Sequence, residues 1–305
     1  MAVTRGRTVD TPSVTRVSFG HRSDMSSSLR LAGSTGCPDE LAEELATRQA
    51  VIDSTRREGS RVFLSATSPD GAIFGRYTTD PADEAVLRHE RAVRELIPTG
   101  SALRSPAVYA AGPRWMLEQA IESEPCVGAA AVDAIAAAAA DVALLPLPPV
   151  PRQRGVDIGR RAKVLAGIAR SALPMQHMWR ARRALSRVDL PQVPAHGDFH
   201  SGNLLCERGL LWVVDWELSG LRPAGHDLMQ AWTTLPRSED RQRLFEAAVS
   251  LIGHRYQSQL ERLRYAAAVA TAVDKLAAPE AFNRDVDGAA WLLEQLPILA
   301  RELDR

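Results

Sequence analysis

The sequence predicts an α+β chain, with short antiparallel strands in its first third and helices over most of the remainder. Three observations carry this. Runs of β-branched and aromatic residues, broken by turn residues, fall before residue 120. Beyond Asp227 apolar residues such as Leu244, Ala247, Ala248 and Leu251 recur at three and four residues, the helical period. Between these regions a single hairpin pattern occupies residues 204–214.

Residues 1–38 are rich in Ser, Thr, Gly and Arg, with little apolar periodicity, and are expected to form a disordered tail; Met25 is a second candidate start. Pro38-Asp39-Glu40 opens a short helix to about Gln49. Val62–Thr67 and Ala72–Thr78 flank Ser68-Pro69-Asp70-Gly71 and read as a hairpin. Asp80 caps the next helix, with Pro81 at its first position and Asp83 and Glu84 in its first turn. A second hairpin joins Ala107–Ala111 to Trp115–Gln119 through Gly112-Pro113. An Ala-rich helix covers Gly128–Leu145 and ends in the Pro-rich run 145–151. Helices are expected at 156–172 and 174–188, the second burying Met175, Met178, Trp179 and Leu185, with His177 at the surface or packed. Four more are expected near 226–235, 238–253, 255–278 and 284–304.

The chemistry gathers around the hairpin. His196-Gly197-Asp198-Phe199-His200-Ser201-Gly202-Asn203 leads into Leu204-Leu205-Cys206, and Leu210–Val214 leads out to Asp215-Trp216-Glu217. If the turn centres on Gly209, Asn203 and Asp215 lie six residues to either side and face each other, with Cβ atoms about 5 Å apart. A carboxamide and a carboxylate at one point are hard oxygen ligands suited to Mg²⁺. Asp198 adds a carboxylate able to accept a hydroxyl proton, and these are the parts that phosphoryl transfer needs.

His196-Gly-Asp198-x-His200-x-x-Asn203, then Asp215-Trp-Glu217, then Gly225-His-Asp227-Leu228, resembles the aminoglycoside phosphotransferase and choline kinase-like family of small-molecule kinases. The resemblance is sharpest over 194–228 and weaker over 55–125. It implies a bilobal protein-kinase-like fold: an N-lobe at 39–119 with a small antiparallel sheet and one helix, and a larger, mostly helical C-lobe at 120–305. It implies ATP as co-substrate and Mg²⁺ as cofactor, a small-molecule hydroxyl acceptor such as an antibiotic, amino alcohol or sugar, and Asp198 as catalytic base. His196 would brace the loop; His200 would support the loop or touch substrate. Asn203 and Asp215 would hold the metal, Glu217 would contact metal through water or touch substrate, and Trp216 would be a core residue or wall the cleft. Asp227 would cap backbone N–H groups.

On the nucleotide side, Arg57-Glu-Gly59-Ser60-Arg61 is the candidate loop over phosphates; with one glycine it reads equally as an ordinary strand connection. The family's phosphate-binding lysine has no counterpart, because the only lysines are Lys163 and Lys275. Arg76, or Gly75 one step off, falls at its place, and Glu90, fourteen residues on, is its helical partner. A solvent-facing pair is the alternative for Arg76 and Glu90. Backbone groups of Glu118, Gln119 and Ala120 would meet the adenine edge.

Thirty-seven Lys and Arg balance thirty-seven Asp and Glu, which points away from nucleic acid and from anionic membranes. Cys37, Cys126 and Cys206 make neither a metal spacing nor an even framework, so reduced cytoplasmic thiols are expected. No apolar run reaches membrane-spanning length. Two other functions fit parts of the pattern: a pseudokinase-like binder of nucleotide or partner, prompted by the missing lysine, and a metal-dependent hydrolase built on His196, Asp198 and His200.

Overall fold

The computed structural model describes residues 38–124, 126–148, 175–277 and 286–304. The tail expected at 1–38 (Pro38 apart), the helix expected at 156–172 and Cys37 lie outside the described residues.

Helix α1 (Asp39–Thr47) precedes strands β1 (Val51–Glu58), β2 (Arg61–Ser68) and β3 (Gly71–Thr78). A 3-10 turn (Pro81–Asp83) then leads into α2 (Glu84–Arg94), followed by β4 (Val108–Gly112) and β5 (Trp115–Gln119). The sheet order is β1-β2-β3-β5-β4, antiparallel throughout. Its two faces follow from strand alternation. Val62, Leu64 and Ala66 on β2, Ile73 and Tyr77 on β3, and Trp115 and Leu117 on β5 join Leu41 and Leu45 of α1 in one apolar cluster. Gly75 belongs to this face, where a Cβ would come within 2.6 Å of Leu117 Cδ2. Arg76, Met116 and Glu118 project to the opposite face, where α2 brings Glu90 and Arg94. Alternation therefore selects Arg76, not Gly75, as the residue facing α2.

Strand β1 was not legible in the sequence. It is a polar, largely exposed edge held by pairing with β2 rather than by burial.

The rest of the chain packs around a second core. Helix α3 (Ala129–Val142), α4 (Met175–Leu185), α5 (His226–Thr234), α6 (Ser238–Ile252), α7 (Gln257–Ala277) and α8 (Val286–Leu303) surround two ribbons. One ribbon pairs β6 (Gln192–Ala195) with β9 (Gly220–Pro223); the other pairs β7 (Leu204–Glu207) with β8 (Leu210–Val213). Val93 of α2 and Leu103 join this larger core, so α2 is anchored to both halves.

Two expectations are corrected. On α4, Met175, Trp179 and Leu185 are exposed, and Ala181, Ala184 and His177 are the buried residues, His177 bonding to the Tyr265 hydroxyl at 2.7 Å. Cys126 and Cys206 are not reduced thiols but a disulfide. The segment after β5 runs along β7, with the Glu124 N–H donating to Cys206 O at 2.7 Å, and this apposition bridges cysteines eighty residues apart. No described helix is long and apolar enough to cross a membrane.

Candidate active site

The loop from His196 to Asn203 is fixed from beneath. Asp227, at the start of α5, accepts the backbone N–H groups of His196 (2.7 Å) and Gly197 (3.0 Å). Burial pushes the Asp227 carboxyl upward, but hydrogen bonding and charge from His226 outweigh it and hold the group below the ordinary carboxylate range. Gly197 has φ +83°, and a Cβ there would sit 2.3 Å from Leu218 O, so only glycine lets the loop pass. His196 is fully buried; its Nδ1 accepts the Asp198 N–H (3.3 Å) and its Nε2 donates to Val214 O (2.9 Å). It positions the loop and does not face the cleft. Of the two readings of Trp216, core or cleft wall, the structure gives the core: it is fully buried, its ring edge-on to His196 at 4.7 Å and its Nε1–H on Val213 O at 3.1 Å. The 3-10 turn Trp216–Leu218 directs the indole inward.

Above the loop stands Asp198, whose side chain is 32 % exposed. Asn203 donates Nδ2–H to Asp198 O (2.9 Å) and to Asp198 Oδ2 (3.3 Å). His200 Nδ1 accepts the Gly202 N–H (3.0 Å), which leaves its proton on Nε2, 3.5 Å from Asp198 Oδ2. Asp198, Asn203 and His200 thus form one polar group.

The hairpin register differs from the symmetric expectation. Leu204 pairs with Val213 around a two-residue turn, Arg208-Gly209, with φ +51° and +76°. Asn203 therefore faces Val214, whose N–H it accepts at 3.1 Å, and Asp215 lies one residue further. Asp215 takes a left-handed conformation (φ 64°, ψ 65°). Its Oδ1 is buried with no hydrogen-bond partner, 3.5 Å from Arg76 Nη1. Burial, with Glu90 and Asp198 adding to it, pushes this carboxyl up against the pull of Arg76 and His196. An orphaned carboxylate oxygen on Asp215 and a carboxamide on Asn203 that spends its nitrogen on Asp198 are hard ligands of the kind Mg²⁺ takes.

Across the cleft, Arg76 and Glu90 form a buried ion pair rather than a solvent-facing one. Burial opposes the charge on Glu90, but Arg76, Arg94 and the Trp216 N–H overcome it and depress its pKa. His89 Nε2 meets Ser219 O and Oγ at 3.0 Å, docking α2 onto the end of the 3-10 turn that follows Asp215. Glu217 bonds to Arg61 Nη1 at 2.6 Å; burial first, then Asp215, push its carboxyl up to about 7. The candidate phosphate loop is the β1–β2 turn Gly59-Ser60, with Ser60 Oγ on Asp83 Oδ2 at 2.8 Å. At the end of β5 the Glu118 side chain pairs with Arg94, and the N–H groups of Gln119 and Ala120 bond to Ala107 O (2.9 Å) and Ala72 O (3.2 Å). Arg61, Arg76, Asp215 and Glu217 line one narrow cavity between the sheet and the hairpin.

Sequence reasoning missed His89, Arg94 and Ser219. It had Arg61 in the candidate phosphate loop but not its pairing with Glu217, because the direction of that side chain depends on where β2 begins. The hydrolase reading is not supported: both His196 nitrogens are engaged, and among the described residues no group of three His, Cys, Asp or Glu could hold a metal.

The fold is that of several solved phosphotransferases. Macrolide 2′-phosphotransferase MphH from Brachybacterium faecium superposes with a TM-score of 0.53 at 18 % identity, covering 84 % of this chain and 98 % of that one. A thermostable mutant of aminoglycoside phosphotransferase APH(4)-Ia, apo form, gives 0.58 at 14 % (87 % and 99 %). An ethanolamine kinase from Plasmodium vivax gives 0.53 at 10 % (88 % and 84 %). Compared with curated proteins, the chain finds no match. Residues 60–265, more than half the chain and both sides of the cleft, match the phosphotransferase enzyme family (APH), and the chain belongs to that family, as a small-molecule phosphotransferase of protein-kinase-like fold.

Proposed function

We propose that the protein transfers the γ-phosphoryl group of ATP to a hydroxyl of a small molecule, using Mg²⁺. The observation that carries this reading is a partly exposed carboxylate, Asp198, held by Asn203 and His200 beside the orphaned oxygen of Asp215. The acceptor hydroxyl gives its proton to Asp198 as its oxygen bonds to the γ-phosphorus. The bond from that phosphorus to the β–γ bridging oxygen breaks, and ADP leaves with the electron pair. Proton transfer of this kind contributes about 10²–10⁴-fold. Asn203 and Asp215 would hold Mg²⁺, which neutralises charge on the phosphate oxygens when bound.

Arg76 takes the lysine's place. Arg61 stands beside the turn, and both guanidiniums would exchange carboxylate partners for phosphate oxygens. Glu217 then turns to the metal or the acceptor. The sheet of residues 39–119 would hold the nucleotide and residues 120–305 the acceptor, with Gly59 and Ser60 over the phosphates; with the Gln119 and Ala120 N–H groups spent on Ala107 O and Ala72 O, the stretch Glu118–Ala120 would meet the adenine through carbonyl groups. Reliance on ATP argues for action in the cytoplasm.

The acceptor is an antibiotic, an amino alcohol or a sugar. APH(4)-Ia has been solved in ternary complexes with hygromycin B and either ADP or AMP-PNP, which makes a bulky polyol the first candidate. Eleven acids against ten bases over 237–305 are near balance and do not advertise a trap for a polycation. An ATP-consumption screen over aminoglycosides, macrolides, amino alcohols and sugars tests the reading. Asp198→Asn should abolish turnover of any hit and leave ATP binding intact; retained turnover removes the base assignment. Tight ATP–Mg²⁺ binding without turnover anywhere in the panel would favour the non-catalytic nucleotide binder that Arg76 suggests.

A further inference from the structure

A cavity of about 670 Å³ lies away from the cleft, behind the C-terminal turn of α2. Its walls come from that turn, the connection between α2 and β4, β4 itself and Trp212 of β8. The volume falls within the ordinary range for small-molecule sites. Its charge is one-sided: Arg91, Arg94 and Arg104 line it against the single carboxylate of Glu95.

The three arginines are not equivalent. Arg94 forms the floor and is committed to Glu118, Ser105 Oγ (2.8 Å) and Pro106 O (3.2 Å). Arg91 gives one nitrogen to Gly112 O (3.0 Å), a neutral acceptor. Arg104 is exposed, and its guanidinium lies 5.9 Å from the centre of the Trp212 ring. Among the described residues neither Arg91 nor Arg104 takes part in an ion pair. The Trp212 indole N–H is buried with no acceptor, so no hydrogen bond opposes a shift of that ring. Two uncompensated cations, an aromatic face and apolar walls form a lining that selects by charge and by shape.

We propose that this cavity is a second ligand site, for a small organic anion with an aromatic or apolar body, and that its occupancy alters nucleotide affinity. The anionic group lies between Arg91 and Arg104, where guanidinium forks suit a carboxylate, sulfonate or phosphate. The body stacks on Trp212. The coupling follows from α2. Arg94 on the cavity floor holds Glu118, at the end of the strand that leads between the lobes, and Glu90, one turn earlier, holds Arg76 in the cleft. A ligand that draws on this turn of α2 acts on both contacts, which meets the requirement of a shared element that two sites bias.

The site does not depend on the acceptor's identity or on turnover, so its test uses binding alone. Anilinonaphthalenesulfonate, an aromatic anion that fluoresces when bound, is titrated into the full chain. Saturable binding should survive saturating ADP–Mg²⁺ and weaken with salt. Arg104→Ala and Trp212→Leu should each raise its Kd about tenfold, with Arg104→Lys in between. Arg104 contributes its side chain only at the surface, and far-UV spectra check that each variant is folded. Displacement of the probe by nucleotide, or a Kd unchanged in Arg104→Ala, overturns the site. Calorimetric titration of ADP with and without the probe tests the coupling. A shift in the ADP Kd of about threefold or more, lost in Arg104→Ala, supports it, and an identical ADP Kd overturns it.

Discussion

Replacing Arg76 with methionine isolates the contribution of the buried pair. The two side chains are 10 % and 1 % exposed, and removing one partner of such a pair costs about 3–5 kcal/mol because the other charge is left uncompensated. Glu90 keeps two contacts, the Trp216 N–H and Arg94 at 4.0 Å, which place the loss at about 3 kcal/mol. In a chain of this length that is a fall of roughly 5 °C in the thermal midpoint. The pH dependence is the sharper test. In the parent protein Glu90 is depressed below 4.5, so its stabilisation is present above that value and is lost as pH falls through the folded pKa. Without Arg76, burial dominates and the carboxyl rises. The variant then escapes its penalty in acid by taking up a proton. Urea unfolding should show the deficit largest near pH 8 and smaller near pH 5. A deficit under about 0.5 kcal/mol, the usual size for a surface change, or one equal at both pH values, refutes the argument. Arg76→Lys keeps the charge and should recover part of the loss, not all of it, because one ammonium cannot reproduce the guanidinium fork.

Gly197→Ala introduces a Cβ 2.3 Å from Leu218 O at positive φ, and should lower unfolding stability by about 3 kcal/mol or more; parent-like stability would mean that the loop relaxes freely. Cys206→Ser opens an eighty-residue loop, for which chain entropy sets a ceiling of about 4.5 kcal/mol. A loss of about 2–4 kcal/mol is expected, the parent should lose a similar amount in reductant, and the variant should not respond to reductant. Arg61→Met should weaken ATP binding about tenfold by calorimetry while changing stability by under about 0.5 kcal/mol, since the side chain is 33 % exposed; unchanged affinity removes Arg61 from the phosphates.

Local chemistry was legible in the sequence, and relations across the chain were not. The β2–β3, β4–β5 and β7–β8 hairpins could be read because turn residues specify them within a few positions. Strand β1 could not, because VIDSTRRE lacks an apolar alternation and its pairing with β2 supplies what its composition does not. The Cys126–Cys206 bond needs the segment after β5 to lie along β7, which no spacing encodes. On α4 the largest apolar side chains were assigned to the core, yet the small Ala181 and Ala184 face it, because close helix packing favours small residues at the contact. Arg61–Glu217 and Arg94–Glu118 join positions far apart in sequence, and charge composition alone cannot pair them.

Asp215 shows most sharply how a register read from hairpin symmetry can fail. Symmetry about Gly209 set it opposite Asn203, but the register sets Val214 there instead. In an extended strand a slip of one residue sends the side chain to the opposite face, so a straight β8 would have carried Asp215 away from Asn203. The left-handed backbone at Asp215 breaks that alternation. For a residue other than glycine that conformation costs about 1–2 kcal/mol, and Asp is among the side chains that tolerate it. Glycine would remove the strain and with it the carboxylate. Packing and hydrogen bonds over the next four residues offset the cost: Trp216 is fully buried, its N–H bonds to Glu90, and the Ser219 hydroxyl closes on Trp216 O at 2.7 Å. Strain at one residue, held by packing at the next, is what keeps the Asp215 carboxylate beside Arg76.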